Sequence, residues 1–272
     1  MMTDQQDLPP HMDLDLPELL QVAIEAAQAP AENILTYFND AALVVEKKPD
    51  HSPVTEADKE AERRIRQRLA NHSSSEAIDI LGEEHGFDGT GARYRWVIDP
   101  IDGTRSFVRG VPLFGTLVAL EDVAVQRALV GVIHLPVLKT TYSAARGLGA
   151  WCQGKPLRTS SVTRIDESMI SVGDPLQFVH ANCEKAYRRL GELCPCLRGY
   201  ADCFGHGLVI RGAIDAMLDP DLNPWDVLAT QVLVEEAGGA MLMRPSANDG
   251  KVDALFGNAE LVQFLAQELS FS

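Results

Sequence analysis

The stretch Trp96-Val-Ile-Asp99-Pro-Ile-Asp102-Gly-Thr104 decides both the fold and the chemistry of this chain. Its first three residues have the composition of a buried strand, and Pro100 is expected to end that strand because proline has no N–H to donate to a sheet. Gly103 permits the tight bend that follows. The sequence therefore predicts two carboxylates, three residues apart, at the exit of a strand.

These two carboxylates have two interpretations. Asp is common where strands end, so Asp99 and Asp102 could simply stabilise a turn. If both point to one place, they repel each other unless a hard cation joins them. If a helix begins after Gly103, its backbone N–H groups can hold a phosphate, and the Thr104 hydroxyl can orient a water molecule. Ser106 could equally be an ordinary helix cap, so both interpretations stay open from these residues alone.

Three more acidic positions stand where predicted elements begin or end. Glu83, within Gly82-Glu-Glu84, follows a predicted strand. Asp58 lies three residues after Thr55, a predicted helix cap, and Asp226 is in the first turn of another predicted helix. Each alone suits a solvated turn or a first-turn helix acid. Together, acidic residues at strand ends and helix starts are what a phosphoryl-transfer site with several metal ions requires.

The rest of the chain predicts a mixed α/β protein. Residues 16–38 have the apolar spacing of a helix, which Pro30 should interrupt. Residues 46–53 are polar, contain two prolines and predict an exposed, mobile loop. Strand-like segments come first, and strands alternate with helices later. The predicted organisation is a disordered tail over residues 1–15 and two packed subdomains, 16–155 and 156–272.

Composition and charge exclude several kinds of partner. The 272 residues carry a formal net charge of -15, which argues against nucleic acid and anionic membranes because both attract basic surfaces. An anionic substrate stays compatible if a metal ion reverses the local charge. No stretch approaches the ~20 apolar residues of a spanning helix, and no signal peptide is visible. The five cysteines have neither a disulfide-like nor a zinc-like spacing, which predicts reduced thiols in a cytoplasmic protein.

Four motifs, in order along the chain, resemble those of the inositol monophosphatase family. The resemblance extends from about residue 16 to the C-terminus. It implies an α/β fold, an alternating αβαβα sandwich of the inositol monophosphatase and fructose bisphosphatase type. It also implies a phosphatase that needs Mg²⁺, two or three ions per active site, and a homodimer. The motifs are Pro53-Val-Thr-Glu-Ala-Asp58, Gly82-Glu-Glu84, Asp99-Pro-Ile-Asp102-Gly-Thr104, and Trp225-Asp226 with Val234-Glu-Glu-Ala-Gly-Gly239.

The resemblance also implies a role for each residue of these motifs. Asp58 and Thr104, together with Glu83, would position and activate an attacking water, and the backbone amides of Gly103 and Thr104 would hold the phosphate. Either Lys47 or Lys48 corresponds to a lysine near a third, weaker metal site, and the sequence does not choose between them. The implied metal ligands are the carboxylates of Glu83, Asp99, Asp102 and Asp226 and the carbonyl of Ile101.

Residues outside these motifs indicate which alcohol the enzyme releases from the phosphate ester. Histidinol phosphate carries a cationic amine and an imidazole, so its recognition calls for extra carboxylates near the leaving group. Asp202 and Asp219 are the predicted contacts, although Asp202 could instead cap a helix and Asp219 could end a strand. His206 is predicted to be a packed helix residue. Four stretches resemble the family's histidinol-phosphate phosphatases more than its inositol enzymes: residues 82–86, 106–117, 199–204 and 219–226.

Three functions follow as hypotheses. The first is hydrolysis of L-histidinol phosphate to L-histidinol and phosphate, a reaction of histidine biosynthesis. The second is hydrolysis of myo-inositol 1-phosphate, or of a range of sugar phosphates, by the same chemistry. The third is a non-catalytic binding or regulatory protein on a phosphatase fold, which the intact set of acidic residues disfavours.

Overall fold

The computed structural model describes residues 14–40, 42–48, 52–72 and 77–271. Most of the predicted tail, residues 1–13, lies outside the described residues. Asp15, the last residue of the predicted tail, caps the first helix. The Asp15 carboxylate accepts a hydrogen bond from the Glu18 N–H at 3.0 Å.

The described residues form α-helices and β-strands with the following bounds. The helices are α1 (Leu16–Gln28), α2 (Ala31–Tyr37), α3 (Glu56–Ala70), α4 (Thr104–Phe107), α5 (Pro175–His180), α6 (Glu184–Leu193), α7 (Asp202–Ile210), α8 (Pro224–Glu236) and α9 (Ala259–Glu268). The first strands are β1 (Val45–Lys47), β2 (Pro53–Thr55), β3 (Ile78–Gly82), β4 (Gly86–Asp88), β5 (Tyr94–Asp102), β6 (Gly115–Asp122), β7 (Arg127–Leu135) and β8 (Thr140–Ala145). The later strands are β9 (Gly149–Cys152), β10 (Lys155–Pro156), β11 (Met169–Val172), β12 (Cys196–Arg198), β13 (Ala216–Leu222), β14 (Ala240–Pro245) and β15 (Val252–Gly257).

Two mixed sheets organise these elements. Within the described residues, one sheet has the strand order β10-β9-β8-β7-β6-β5-β3-β4, and the other has the order β12-β11-β13-β15-β14. The short strands β1 and β2 form a separate antiparallel ribbon. Strand β5 is parallel to β3, so both end at the same edge of the larger sheet. At this edge Glu83 follows the last residue of β3, and Asp99 lies near the end of β5.

Helices cover both faces of each sheet. In β6, Val118 and Leu120 pack in one apolar cluster with α1 and α3, whereas Leu117 and Ala119 pack in another with α7 and α8. Helix α8 also contacts the smaller sheet, whose other face is covered by α5, α6 and α9. The layers therefore alternate αβαβα, which confirms the predicted fold class.

Helix α8 is the layer between the two sheets. Every residue from Val227 to Val234 is buried. An ordinary surface helix has a polar face, but α8 lacks one over this stretch because both of its sides meet a sheet. The first turn of α8 carries Asp226, so the position of this residue depends on both sheets.

The strand that carries the first two aspartates is longer than predicted. β5 continues through Pro100 to Asp102, with a shift of register against β6 between Asp99 and Asp102. Pro100 has no N–H for the ladder, so the strand bulges there instead of ending. The Thr116 hydroxyl donates to the Pro100 carbonyl at 2.8 Å and holds the bulge against β6. A bulge re-aims the side chains beside it, and here these are the two aspartates.

Both ends of the segment 46–53, which was predicted to be a loop, lie in strands. Glu46 of β1 lies opposite Val54 of β2 in an antiparallel pair. The prediction of a loop was therefore wrong for these ends, because pairing with residues beyond Pro53 was not visible in the composition. Residues 49–51 lie outside the described residues.

Three further predictions concern the chain as a whole. The five cysteines are free thiols. Among the described residues, no helix is long and apolar enough to cross a membrane. The larger sheet ends at Pro156 and the smaller one begins at Met169, while the division into subdomains 16–155 and 156–272 stays a prediction.

Candidate active site

A cavity of about 610 Å³ collects nearly all of the predicted site residues. Its walls come from the ends of β5 and β13, from the first turns of α4, α7 and α8, and from α5. Asp58 is the predicted residue that does not line it; its side chain is buried behind Thr104. The predicted residues that line the cavity are Glu83, Asp99, Ile101, Asp102, Gly103, Thr104, Asp202, Asp219 and Asp226.

Three of these residues form the acidic cluster: Asp99, Asp102 and Asp226. Each offers one carboxylate oxygen, and the three oxygens lie within 4.8 Å of one another. Asp99 and Asp102 come from the bulged end of β5, and Asp226 comes from the first turn of α8. Residues far apart in sequence thus converge because α8 packs across the larger sheet.

Local hydrogen bonds fix one oxygen of each carboxylate in this cluster. Asp99 Oδ1 accepts from the Ile101 N–H at 3.0 Å, and Asp226 Oδ2 accepts from the Asn223 N–H at 2.8 Å. Asp102 Oδ2 accepts from the Cys203 N–H in the first turn of α7. Asp226 is thus the first-turn acid of a capping box and also a member of the cluster. Asp226 therefore has the first-turn position that the structural interpretation predicts, and its role as a metal ligand stays a prediction.

Glu83 lies beside the cluster rather than within it. Gly82 pairs with Ile98 in the parallel strands β3 and β5, and the Glu83 N–H donates to the Ile98 carbonyl at 3.3 Å. The Lys48 ammonium lies 2.7 Å from a carboxylate oxygen of Glu83 and 2.7 Å from one of Glu84. Lys48, and not Lys47, is therefore the lysine that reaches the acidic residues. Burial opposes its charge, but Glu83 and Glu84 raise the pKa of Lys48 above its usual value.

Burial and mutual repulsion raise the pKa values of the acidic cluster. Burial raises the pKa of Asp99 well above its usual range, and the charges of Glu83, Asp102 and Asp226 raise it further. The pKa of Asp102 is also raised well above its usual range, by burial and then by Asp202 and Asp226. Burial raises the pKa of Asp226 to about 6. A multivalent cation would relieve this repulsion, and the donors are all hard oxygens, the type that Mg²⁺, Ca²⁺ and Mn²⁺ prefer.

Asp58 is both a helix-capping residue and a neighbour of Thr104. Its Oδ2 accepts from the N–H and the hydroxyl of Thr55, at 2.7 and 2.6 Å, within the predicted capping box. Its Oδ1 lies 3.3 Å from the Thr104 hydroxyl, which is also 2.9 Å from the Ile101 carbonyl. Burial raises the pKa of Asp58 to about 6, despite the hydrogen bonds from Thr55. One carboxylate therefore connects the start of α3 to the cavity wall.

Gly103 is required by its backbone conformation and by its neighbours. Its φ is +84°, and a Cβ at this position would lie 3.0 Å from the Leu113 carbonyl and 3.2 Å from Asp202 Oδ2. Helix α4 begins directly after it, at Thr104. Ser106 lies inside this helix, so the alternative that Ser106 caps it was wrong.

Asp202 and Asp219 form a second acidic group in the same cavity. Asp202 is the first residue of α7 but makes no capping hydrogen bond, and Asp219 is in the middle of β13 rather than at its end. Both structural alternatives for these residues were therefore wrong. Burial raises the pKa of Asp202 to about 6, and the charge of Asp219 contributes to the rise. Asp219 is buried, and its Oδ1 has no hydrogen-bond partner among the described residues.

Several residues in the cavity wall were not predicted from the sequence. His206 was predicted only to pack, yet it lines the cavity and contacts Asp219. The Asp174-Pro175 pair is a helix-start signal that could have revealed α5. Asn248 and Lys251, in the turn between β14 and β15, gave no signal, because they reach the wall only by binding Asp221 at 2.7 and 3.2 Å.

The αβαβα layers and the acidic cluster at their centre define a metal-dependent phosphatase. The chain belongs to the inositol monophosphatase family, whose model matches residues 15–259. This confirms the family that the four motifs indicated. Members of this family are phosphoric monoester hydrolases that act on small phosphate esters. This protein is therefore also a phosphoric monoester hydrolase.

Individual relatives support the same assignment. The chain is 38% identical over 221 residues to a histidinol-phosphatase from Chlorobaculum parvum, covering 81% of this chain and 83% of that one. It is 35% identical over 271 residues to a histidinol-phosphatase from Streptomyces coelicolor, covering 94% and 97%. An inositol monophosphatase structure from Zymomonas mobilis matches with a TM-score of 0.80 and 29% identity, covering 95% of this chain and all of that one.

Proposed function

We propose that this protein hydrolyses L-histidinol phosphate to L-histidinol and phosphate, with Mg²⁺ bound at the acidic cluster. The observation that carries the proposal is the second acidic group, Asp202 and Asp219, in the same cavity as the cluster. Asp202 Oδ2 lies against Gly103, next to the start of α4, and the pKa of Asp202 is raised by Asp219. The two curated relatives named histidinol-phosphatases support the same substrate.

The proposed metal ligands are the cluster and the groups beside it. Two or three Mg²⁺ ions would be held by Asp99, Asp102, Asp226, Glu83 and the Ile101 carbonyl. When bound, Mg²⁺ supplies positive charge that stabilises the phosphate in the transition state and lowers the pKa of a coordinated water. In the metal-free protein the Lys48 ammonium already neutralises part of the charge of Glu83 and Glu84.

The residues of the chain then orient the attack. The Thr104 hydroxyl would hold the attacking water on the phosphate side, and Asp58 would receive the proton through the Thr104 hydroxyl. A pKa of about 6 leaves Asp58 mostly ionised at pH 7 while keeping it basic enough to take a proton. The backbone N–H groups of Gly103 and Thr104, at the start of α4, would hold the phosphate oxygens.

The alcohol is proposed to be recognised by charge. The ammonium and imidazole groups of histidinol would donate hydrogen bonds to Asp202 and Asp219. A hydrogen bond to a charged partner contributes about 1.5–3 kcal/mol, which corresponds to roughly 10- to 150-fold in affinity. An inositol phosphate carries neutral hydroxyls there and would leave the half-buried Asp202 and the buried Asp219 without a cation. The cavity should therefore favour the cationic alcohol.

Asp202→Asn is expected to lower kcat/KM for histidinol phosphate by about 10- to 100-fold, mainly through KM, because one charged contact is removed. The wild-type enzyme should prefer histidinol phosphate to myo-inositol 1-phosphate by about 100-fold, and the variant should narrow this gap. Steady-state kinetics on both esters measures each value. Asp166→Asn, at an exposed aspartate paired with Arg164, is the matched control and should leave the ratio unchanged. A wild-type enzyme that favours inositol 1-phosphate would refute the proposed substrate.

We also propose that the protein forms a homodimer in the cytoplasm. The homodimer is implied by the resemblance to the family, and light scattering during size-exclusion chromatography measures it directly. Five free cysteines suit a reducing compartment.

A further inference from the structure

The imidazole of His206 is held on two sides behind the second acidic group. Its Nε2 lies 3.1 Å from Asp219 Oδ2, and its Nδ1 lies 2.8 Å from the Thr230 hydroxyl of α8. The ring of Phe256 packs against it edge-on, with the ring centres 5.0 Å apart. In the neutral ring, Nε2–H donates to Asp219 and Nδ1 accepts from Thr230. These contacts leave the ring one orientation.

Asp219 is fixed by this imidazole from one side and by backbone from the other. A Cβ at Gly173 would lie only 1.8 Å from Asp219 Oδ1, so this oxygen fills the space that the glycine leaves open. The same oxygen has no hydrogen-bond partner among the described residues. A buried acceptor without a donor is energetically unfavourable, and a hydrogen-bond donor on a bound ligand would remove this cost.

The placement of Asp219 matters because other acidic groups lie in the same cavity. Asp202 and the acidic cluster line this cavity together with Asp219. A carboxylate free to rotate would be drawn to cations at the acidic cluster, because hard cations accept further oxygen ligands. The hydrogen bond from His206 opposes that movement.

We propose that His206, anchored by Thr230, is a positioning residue that keeps Asp219 on the alcohol side of the cavity and so determines specificity for a cationic alcohol. This inference rests on the proposed function. His206 itself reaches Asp219 and not the reacting atoms. Its loss therefore weakens binding of the cationic alcohol and leaves the phosphate chemistry intact.

The test compares two substitutions at His206 on two esters. His206→Phe keeps the ring volume and the contact with Phe256 but removes the donor, whereas His206→Gln retains a side-chain N–H that can reach Asp219. His206→Phe is expected to raise KM for histidinol phosphate by about 10- to 100-fold, with kcat changed by less than about threefold. Turnover of propyl phosphate, a neutral ester, should change by less than about threefold. His206→Gln should recover most of the lost affinity for histidinol phosphate.

A second variant and a double mutant distinguish the proposed effect from misfolding. Thr230→Val removes the anchor of the ring with little change of shape, and a smaller rise of KM in the same direction is expected. In the presence of Asp219→Asn, His206→Phe should have almost no further effect, because the two residues act as one unit. A KM for histidinol phosphate unaltered by Thr230→Val and by His206→Phe overturns the inference.

Equal losses on both esters in the His206 variants also overturn it, because they indicate general damage to the fold. Failure of the proposed function is distinguishable from either result. It appears in the wild-type enzyme, as a preference for myo-inositol 1-phosphate over histidinol phosphate, before any His206 variant is made.

Discussion

Asp99→Asn is expected to lower kcat/KM for the phosphate ester by about a thousandfold or more, even at saturating Mg²⁺. The reason is that Asp99 belongs to the acidic cluster. Its carboxylate is close enough to Glu83, Asp102 and Asp226 for their charges to raise its pKa. An amide keeps the shape but removes the charge that would hold a divalent cation. Kinetics measured over a Mg²⁺ titration distinguishes lost affinity, which added Mg²⁺ restores, from a lost catalytic arrangement, which it does not.

The same substitution is expected to stabilise the metal-free protein. Without a cation, the buried carboxylates repel one another, so neutralising one of them should raise the melting temperature in EDTA by several degrees. Mg²⁺ should then stabilise the variant less than it stabilises the wild type. Glu121→Gln is a matched control, because Glu121 is also buried on the larger sheet but pairs with Arg95 away from the cavity. Full activity in Asp99→Asn would remove Asp99 from the proposed ligand set.

Removal of divalent metal is expected to abolish hydrolysis and to make the free energy of unfolding fall as pH rises from about 4 to 7. The pKa of Asp226 is about 6 in the folded protein, against a usual value of 3.8, and those of Asp99 and Asp102 are raised further. Between the two values the folded protein retains protons that the unfolded chain has released. Stability is therefore greatest on the acid side and is lost as pH rises through about 6.

Bound Mg²⁺ should remove most of this pH dependence, because the cation replaces the protons as the partner of the carboxylates. Denaturant unfolding at a series of pH values measures how the free energy of unfolding depends on pH, once in EDTA and once with Mg²⁺. Asp58 and Asp202, each with a pKa raised to about 6, add to the same trend in the metal-free protein. A metal-free protein whose stability rises between about pH 4 and 7 would contradict the expected repulsion among these carboxylates.

Local geometry explains which site residues could be located from the sequence. Thr55 and Asp58 are three residues apart at a helix start, and that spacing alone dictates the capping box. Asp99 and Asp102 lie at the carboxyl end of a strand, and such positions lie at the edge of a sheet in α/β folds. Pro100 misled the prediction of where the strand ends, because a proline can lie in a bulge as well as at a terminus.

Long-range contacts explain what the sequence could not predict. The apolar neighbours of His206 correctly indicate a packed helix, but its contact with Asp219 exists only because α7 lies over β13. The choice between Lys47 and Lys48 also depends on the fold, since neighbours on a strand point to opposite faces and only Lys48 reaches Glu83. Asn248 and Lys251 line the cavity through a turn whose position is set by the pairing of β14 with β15.

The position of α8 between the two sheets has a consequence for how the protein is made. During synthesis Asp99 and Asp102 emerge long before Asp226, and domains fold in N-terminal order as they are released. The growing chain therefore carries two carboxylates that repel each other before Asp226 has been added. Only when α8 has docked on both sheets is the set of oxygens complete. Binding of the metal ion would then stabilise the docked position of α8. A nascent chain truncated before α8 would fail to retain the metal ion.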